Sequence, residues 1–264
     1  MDIKVKETKN STAHIEATLT KQEVDVQKEH AIDELIGDVT VKGFRQGKAP
    51  RAIAADHLDP DKLSNHILGH VLNNIIDQAI KDHSFRLLGR PILDNIDSKT
   101  NDGWIISLSL PLYPEIKLGD YQKLISQIKS SPKDTEEQKI DKIYQALIDH
   151  FEMDIPELVI EEEINYSLDR LANQAKTLNL TLESYLKAVN KSLEQVKDEY
   201  RKKAAESIKL DLVLLEIAKQ EKINTAMKEL TLTAKAGNIP DSQLAQLKSI
   251  MDRRKTIELL LKLC

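Results

Sequence analysis

Apolar residues recur with two different periods along the chain. Near the start, Ile3 and Val5, then Ala13, Ile15, Ala17 and Leu19, alternate with polar residues, which predicts two half-buried strands. Thr20 followed three residues later by Glu23 is a capping box, and the helix behind it carries Val24, Ala31, Leu35 and Val39 and runs to about Asp38. A helix pair follows over about 50–58 and 61–82, the second with a wide apolar face through Leu63, Ile67, Val71, Ile75 and Ala79. After the Gly89-Arg90-Pro91 turn come a short strand over 92–96 and a longer one in which Trp104, Ile106, Leu108, Leu110 and Leu112 share a face. Beyond residue 132 the spacing becomes three and four. Ile140, Ile143, Tyr144, Leu147 and Ile148 form one stripe of a helix over 133–149 behind Pro132. Pro156 suits the first turn of a helix through about 176, and Thr181 can cap a shorter one reaching about 189. Ser192 with Gln195 is a second capping box. It precedes Val196, Tyr200, Ala204, Ile208, Leu212 and Leu215, which predict one very long helix ending near Ile223. Two more helices are expected over about 225–236, closed by Gly237, and 241–263.

The turn residues agree with this division. None of the eight glycines falls between Gly119 and Gly237, so that stretch can hardly be a turn-rich sheet. The expected architecture is an α+β domain over 1–113, an extended connector over 114–132 holding Pro114, Gly119 and the Ser130-Ser131-Pro132 cluster, and an all-α domain of long helical arms over 133–264. Composition narrows the function. A chain of 264 residues with 31% charged and only 4% aromatic residues is more typical of long amphipathic helices than of a pocketed enzyme. With 38 Lys+Arg against 43 Asp+Glu, a net charge of −5 argues against general nucleic-acid coating and leaves room for a local basic site. Cys264, the one cysteine, cannot form a disulfide or a thiolate metal cluster within the chain. No apolar run approaches the roughly 20 residues a bilayer requires, and MDIKVKETKN lacks the apolar core of a secretory signal, so the cytoplasm is the expected compartment.

Residues 42–51 hold the concentrated charge: Lys42, Arg45, Lys48 and Arg51, no acid, and the aromatic Phe44. Gly43 and Gly47 on either side of Phe44-Arg45-Gln46 let the backbone turn tightly and project those side chains at a loop tip. Arg45 and Lys48 suit phosphate oxygens, and Phe44 can enter an apolar slot or stack on a base, a set of groups suited to a mixed protein and RNA surface. A solvated loop with Phe44 folded back into the core is the competing reading. The segment is not a nucleotide loop, because its spacing is one residue short of GxxxxGK[ST] and Ala49-Pro50 stands where the magnesium-binding hydroxyl should be. His66 and His70 lie four apart on a predicted helix, a geometry able to chelate a metal. With Ile67 where a zinc-protease glutamate would stand and no third ligand evident nearby, they read as ordinary helix histidines. Asp59-Pro60-Asp61 reads as a helix N-cap rather than a calcium loop, and Glu161-Glu162-Glu163 as anions favoured by a helix N-terminal dipole. No nucleophile, base and orienting acid can be singled out, so no catalytic residue, cofactor or metal is expected.

GFRQGKAP, residues 43–50, resembles the ribosome-binding signature of trigger factor, the bacterial chaperone family at the exit of the ribosomal tunnel. LPLYPEIKLGDYQKL, residues 110–124, is similar to that family's exit from its N-terminal domain. The stretch from Ile155-Pro156 through LVIEEEINYSLDRLANQAK to LLEIAKQEKI resembles its helical C-terminal domain. The resemblance implies ribosome docking by Gly43, Phe44, Arg45, Gln46, Gly47 and Lys48. It implies the large ribosomal subunit, protein and rRNA near the exit tunnel, as one partner and nascent or unfolded polypeptides as the other, with no membrane partner and with a homodimer left open. The resemblance further implies ATP-independent aid to protein folding. The family usually carries a peptidyl-prolyl isomerase domain between the two parts, and here the connector leaves no room for it. The expectation is a chaperone that is not an enzyme; the alternative is a helical adaptor or assembly scaffold for one specific folded partner.

Overall fold

The alternating residues at the start of the chain do pair as strands. In the computed structural model, which describes residues 1–97, 103–129, 131 and 134–264, β1 (Asp2–Lys9), β2 (Thr12–Thr20), β3 (Ile92–Asp97) and β4 (Gly103–Pro111) form one antiparallel sheet in the order β1-β2-β4-β3. The β1–β2 connection is two residues long. Asn10 and Ser11 both take left-handed backbone angles, φ 47° and 53°, which match the twist of a tight hairpin. Register then fixes the faces. Ala13 pairs with Leu110, Ile15 with Leu108 and Ala17 with Ile106, so all six side chains point to one side, where all are buried.

That side is covered by α1 (Lys21–Leu35) and α3 (Pro60–His83), joined through the short α2 (Arg51–Asp56). Ala31 of α1 and Ile67, Val71, Ile75 and Ala79 of α3 complete a single apolar core with the strands. The caps expected from the sequence are formed. Thr20 and Glu23 make both halves of a capping box, and the Asp59 carboxylate accepts from the Asp61 and Lys62 amides at 2.9 and 3.3 Å. The α1 helix ends three residues before the expected Asp38. Residues Ile36–Asp38 tighten into a 3₁₀ turn, with Gly37 at its centre favouring neither geometry.

Gly103, which opens β4, has φ +135°, and a Cβ placed there would stand 1.7 Å from the Leu19 carbonyl oxygen. Only glycine permits the strand to approach β2 this closely. A Gly103→Ala substitution should therefore cost about 2–3 kcal/mol through backbone displacement and lower the urea midpoint of unfolding. An unchanged midpoint would show that the sheet edge absorbs the methyl group.

Compactness divides the chain into Met1–Tyr113 and Pro114–Cys264. Among the described residues, the regular elements of the second unit are all helices: α4 (Tyr121–Ser126), α5 (Glu136–His150), α6 (Glu157–Thr177), α7 (Leu182–Ala188), α8 (Leu193–Gln220), α9 (Met227–Ala236) and α10 (Leu244–Leu263), the last preceded by a 3₁₀ turn, Asp241–Gln243. At 28 residues, α8 is the longest helix, spanning about 42 Å. Its C-terminal half, through Leu210, Val213, Leu214 and Ile217, packs with Ile143 and Leu147 of α5 and Leu260 of α10. Its N-terminal half, through Val196, Tyr200 and Ala204, packs with Ile160, Ile164 and Leu171 of α6 and Leu186 of α7. One long helix thus serves three apolar clusters, and Arg201 pairs with Glu157 and Glu161 to tie it to α6.

The stretch 114–132, expected to be an extended connector, contributes to this core. Asp120 caps α4 by accepting from the Lys123 amide, and Leu118, Tyr121 and Ile125 are buried. Tyr121 also donates its hydroxyl proton to Glu221. A helix of six residues is too short to display a period, which is why its sequence reads as irregular. Ser130 and Pro132 of the expected connector, and Lys133 at the expected helix start, lie outside the described residues. The α5 helix begins at Glu136, set by a capping box between Thr135 and Gln138.

Candidate functional site

The cationic segment forms the loop between the 3₁₀ turn after α1 and the start of α2. Its base is held by backbone hydrogen bonds rather than by packing: Phe44 N donates to Val41 O at 3.0 Å, Gly47 N to Val39 O at 3.1 Å, and Lys48 N to Arg45 O at 2.9 Å. Val41 is buried and anchors one side. On the other, Gly47 with φ +66° lies against Gly37, whose carbonyl oxygen would be 2.5 Å from any Cβ at position 47. The Gln46 side chain donates to the Asp38 carbonyl at 3.2 Å. These contacts close the loop into a ring whose tip, residues 43–48, is exposed throughout.

The six residues singled out in the sequence therefore divide by role. Phe44 is 43% exposed instead of folded into the core. Arg45 and Lys48, with Lys42 beside them, form no salt bridge among the described residues. Gln46 and Gly47 shape the loop, and Gly43, with φ +92°, lets the chain leave Val41 in a left-handed turn. The fourth cation differs. Arg51 pairs with Asp33 at 2.6 Å and Glu29 at 2.5 Å, which pins the start of α2 to α1. Three positive charges and one aromatic ring on a braced, solvent-facing loop can meet phosphate oxygens and an apolar slot together.

Two other clusters come together in the fold. His66 and His70 both approach Glu34, a residue of α1 that nothing in the sequence linked to them, with Nε2 to Oε2 distances of 2.7 and 3.0 Å. These hydrogen bonds hold the Glu34 carboxyl below the usual carboxylate range. Ser109 lies between His14 and Asp94, donating to Asp94 Oδ2 at 2.7 Å with its oxygen 2.8 Å from His14 Nδ1. A nucleophilic triad needs the imidazole between the hydroxyl and the acid, and here the hydroxyl is in the middle, so the group is a cross-strand hydrogen-bond network. No helix among the described residues is long and apolar enough to cross a membrane.

A sheet-and-helix unit bearing a braced cationic loop, followed by a unit of long helices, defines a two-part α+β and all-α protein. Comparison with known families resolves it further. A family model described as bacterial trigger factor protein matches residues 1–147, and one described as bacterial trigger factor protein C-terminus matches residues 121–262. The chain belongs to the trigger factor family. Among the similar proteins, the trigger factor of Desulforapulum autotrophicum is 26% identical over 147 residues, 56% of this chain and 32% of that protein. That of Rickettsia bellii is 28% identical over 128 residues, 47% of this chain and 28% of that protein. The chain spans about a third of the length of the curated relatives it matches. A solved structure of the trigger factor chaperone, described for promiscuous substrate recognition in folding and assembly activities, superposes with a TM-score of 0.69 over 99% of both chains at 14% identity, and so shares the fold.

Proposed function

We propose that this chain is a ribosome-associated, ATP-independent molecular chaperone. Residues 1–113 dock at the tunnel exit of the large ribosomal subunit through Gly43, Phe44, Arg45, Gln46, Gly47 and Lys48, residues 114–132 lead onward, and residues 133–264 shield nascent or unfolded polypeptides. The observation that carries this reading is the loop itself: Arg45 and Lys48 without acidic partners among the described residues and Phe44 exposed, on a backbone braced so that little entropy is lost on docking. Arg45 and Lys48 meet rRNA phosphates, and Phe44 enters an apolar slot on a ribosomal protein. The trigger factor family supports the same assignment. A protein working at bacterial ribosomes acts in the cytoplasm.

Client binding is assigned to the helical unit because several of its large apolar side chains face solvent, among them Tyr166, Leu178, Met227, Leu232 and Ile250. Exposed apolar positions without an enclosed pocket grip weakly and exchange clients without nucleotide hydrolysis. Purified protein should co-sediment with ribosomes, and raising the salt concentration should release it as counterions return to the phosphates. A failure to co-sediment, together with one stoichiometric complex with a single folded protein, would favour the adaptor reading.

The same reading assigns the chain no prolyl isomerase activity. Its two family matches overlap over residues 121–147, so no segment lies between them that could form a further domain. Lowering the barrier of about 18–20 kcal/mol to X-Pro rotation requires an enclosed apolar pocket for the proline. A proline-limited refolding reaction should accordingly run at its uncatalysed rate with the protein present. Acceleration at catalytic concentrations would contradict the assignment.

A further inference from the structure

We propose that Glu34, His66 and His70 form a binding site for a first-row divalent cation of the zinc type, joining the end of α1 to α3. The proposal rests on a different part of the N-terminal unit from the docking loop and stands independently of ribosome binding.

Residues four apart on a helix lie one above the other on the same face, and the imidazoles of His66 and His70 meet edge to face with ring centroids 4.8 Å apart and planes at 85°. A bare pair of this kind is an incomplete site. The fold supplies the third group: the Glu34 carboxylate arrives from α1, its Oε2 lying 2.7 Å from His66 Nε2 and 3.0 Å from His70 Nε2, and the three donor atoms all fall within 4.8 Å of one another. Around a tetrahedral ion with bonds near 2.0–2.1 Å, donor atoms stand about 3.3 Å apart. To admit an ion among the three, the carboxylate has to retreat by a few tenths of an ångström, and the two imidazoles, whose donor atoms stand up to 4.8 Å apart, have to rotate toward each other. The backbone beneath is fixed, because Ala31, one turn before Glu34, and Ile67 and Val71, beside the two histidines, belong to the buried core that joins α1 and α3 to the sheet. Ligands carried on packed helices need side-chain rotation but no backbone movement, which limits the ordering cost of binding.

The donor set selects the ion. Two imidazole nitrogens and one carboxylate oxygen suit Zn²⁺, Co²⁺, Ni²⁺ or Cu²⁺ and leave Mg²⁺ and Ca²⁺, which prefer all-oxygen shells, poorly served. One carboxylate brings a single negative charge against the ion's two. The side chains of His66 and His70 are 36% and 29% exposed, so the ion can enter directly from solvent, and its fourth position falls to water or an outside ligand. In the metal-free arrangement each Nε2–H donates to the carboxylate. With the ion present, the protons move to Nδ1 and the Nε2 lone pairs turn to the metal.

The test is calorimetric titration of the untagged full chain with ZnCl₂ at neutral pH. One Zn²⁺ should bind per chain, and each of Glu34→Gln, His66→Gln and His70→Gln should weaken it by roughly tenfold or more, while His83→Gln should leave it unchanged. All three site residues are at least partly exposed, so the variants should keep the wild-type circular dichroism in the presence of a chelator. Independently of any variant, the ring proton resonances of His66 and His70 alone among the seven histidines should shift on adding Zn²⁺ to the wild type. Absence of saturable binding, affinity that survives Glu34→Gln or His70→Gln, or shifts centred on other histidines would overturn the proposal.

Discussion

Replacing Arg45 and Lys48 together with glutamate should abolish co-sedimentation with ribosomes while leaving the fold intact. A hydrogen bond from a charged donor to phosphate is worth about 1.5–3 kcal/mol, so losing two removes about 3–6 kcal/mol, a hundredfold or more in affinity, before repulsion by the new carboxylates is added. The fold should be indifferent, because neither side chain has an ionic partner among the described residues and the loop base is held by backbone amides, Val41 and Gln46. Replacing Phe44 with alanine as well should extend the loss, since its exposed ring makes the apolar part of the contact. The measurement is pelleting through a sucrose cushion at two salt concentrations. The wild-type protein should lose affinity steeply as salt rises, whereas residual binding of the variant should change little, because fewer counterions return to a partner it no longer neutralises. Unaltered pelleting of the reversed-charge protein would remove the docking loop from the proposed function.

The loop could be found in the sequence because its signal is local: two glycines, four cations and a phenylalanine within ten residues fix both the turn and its chemistry. The strands and the longer helices were legible for a related reason. A period of two or of 3.6 sustained over eight or more residues outweighs local exceptions, and capping boxes such as Thr20 with Glu23 and Ser192 with Gln195 mark the ends. Elements without these signals were missed. The α4 helix has six residues and no period, and its membership of the helical core depends on Tyr121 and Ile125 meeting side chains far along the chain. The role of Arg51 was hidden for the same reason. In the sequence it is one of four equivalent cations, and only the packing of α2 near α1 commits it to Asp33 and Glu29. Glu34 is the clearest case, lying 32 residues before His66 and meeting it only because α1 and α3 pack on the same face of the sheet. Local chemistry can be read from spacing; a site assembled across elements requires the fold.

The complementary experiment concerns the helical unit. Met227 and Leu232 on α9 and Ile250 on α10 are 69%, 62% and 65% exposed. Side chains that exposed add little to the folded state, so exchanging all three for serine should change stability by less than about 0.5 kcal/mol each. Their value is to a client. Burying an aliphatic side chain of this size is worth about 1.5–3 kcal/mol when complete, and a shallow surface captures roughly half of that, so the triple substitution should weaken client contacts by about 2–4.5 kcal/mol. The expected result is that the substituted protein fails to slow aggregation of a denatured test protein at equimolar ratio, with or without ATP, yet still pellets with ribosomes. The loop variant should behave in the opposite way, protecting clients in free solution while remaining in the supernatant. Salt should separate the two surfaces again, because the phosphate contacts weaken as ionic strength rises and apolar burial does not. If the serine variant protected as well as the wild type, the grip would have to lie on other exposed residues such as Tyr166 and Leu178 of α6 and its end. If substitution there also had no effect, the helices would act as a scaffold, and the adaptor reading would replace the chaperone one.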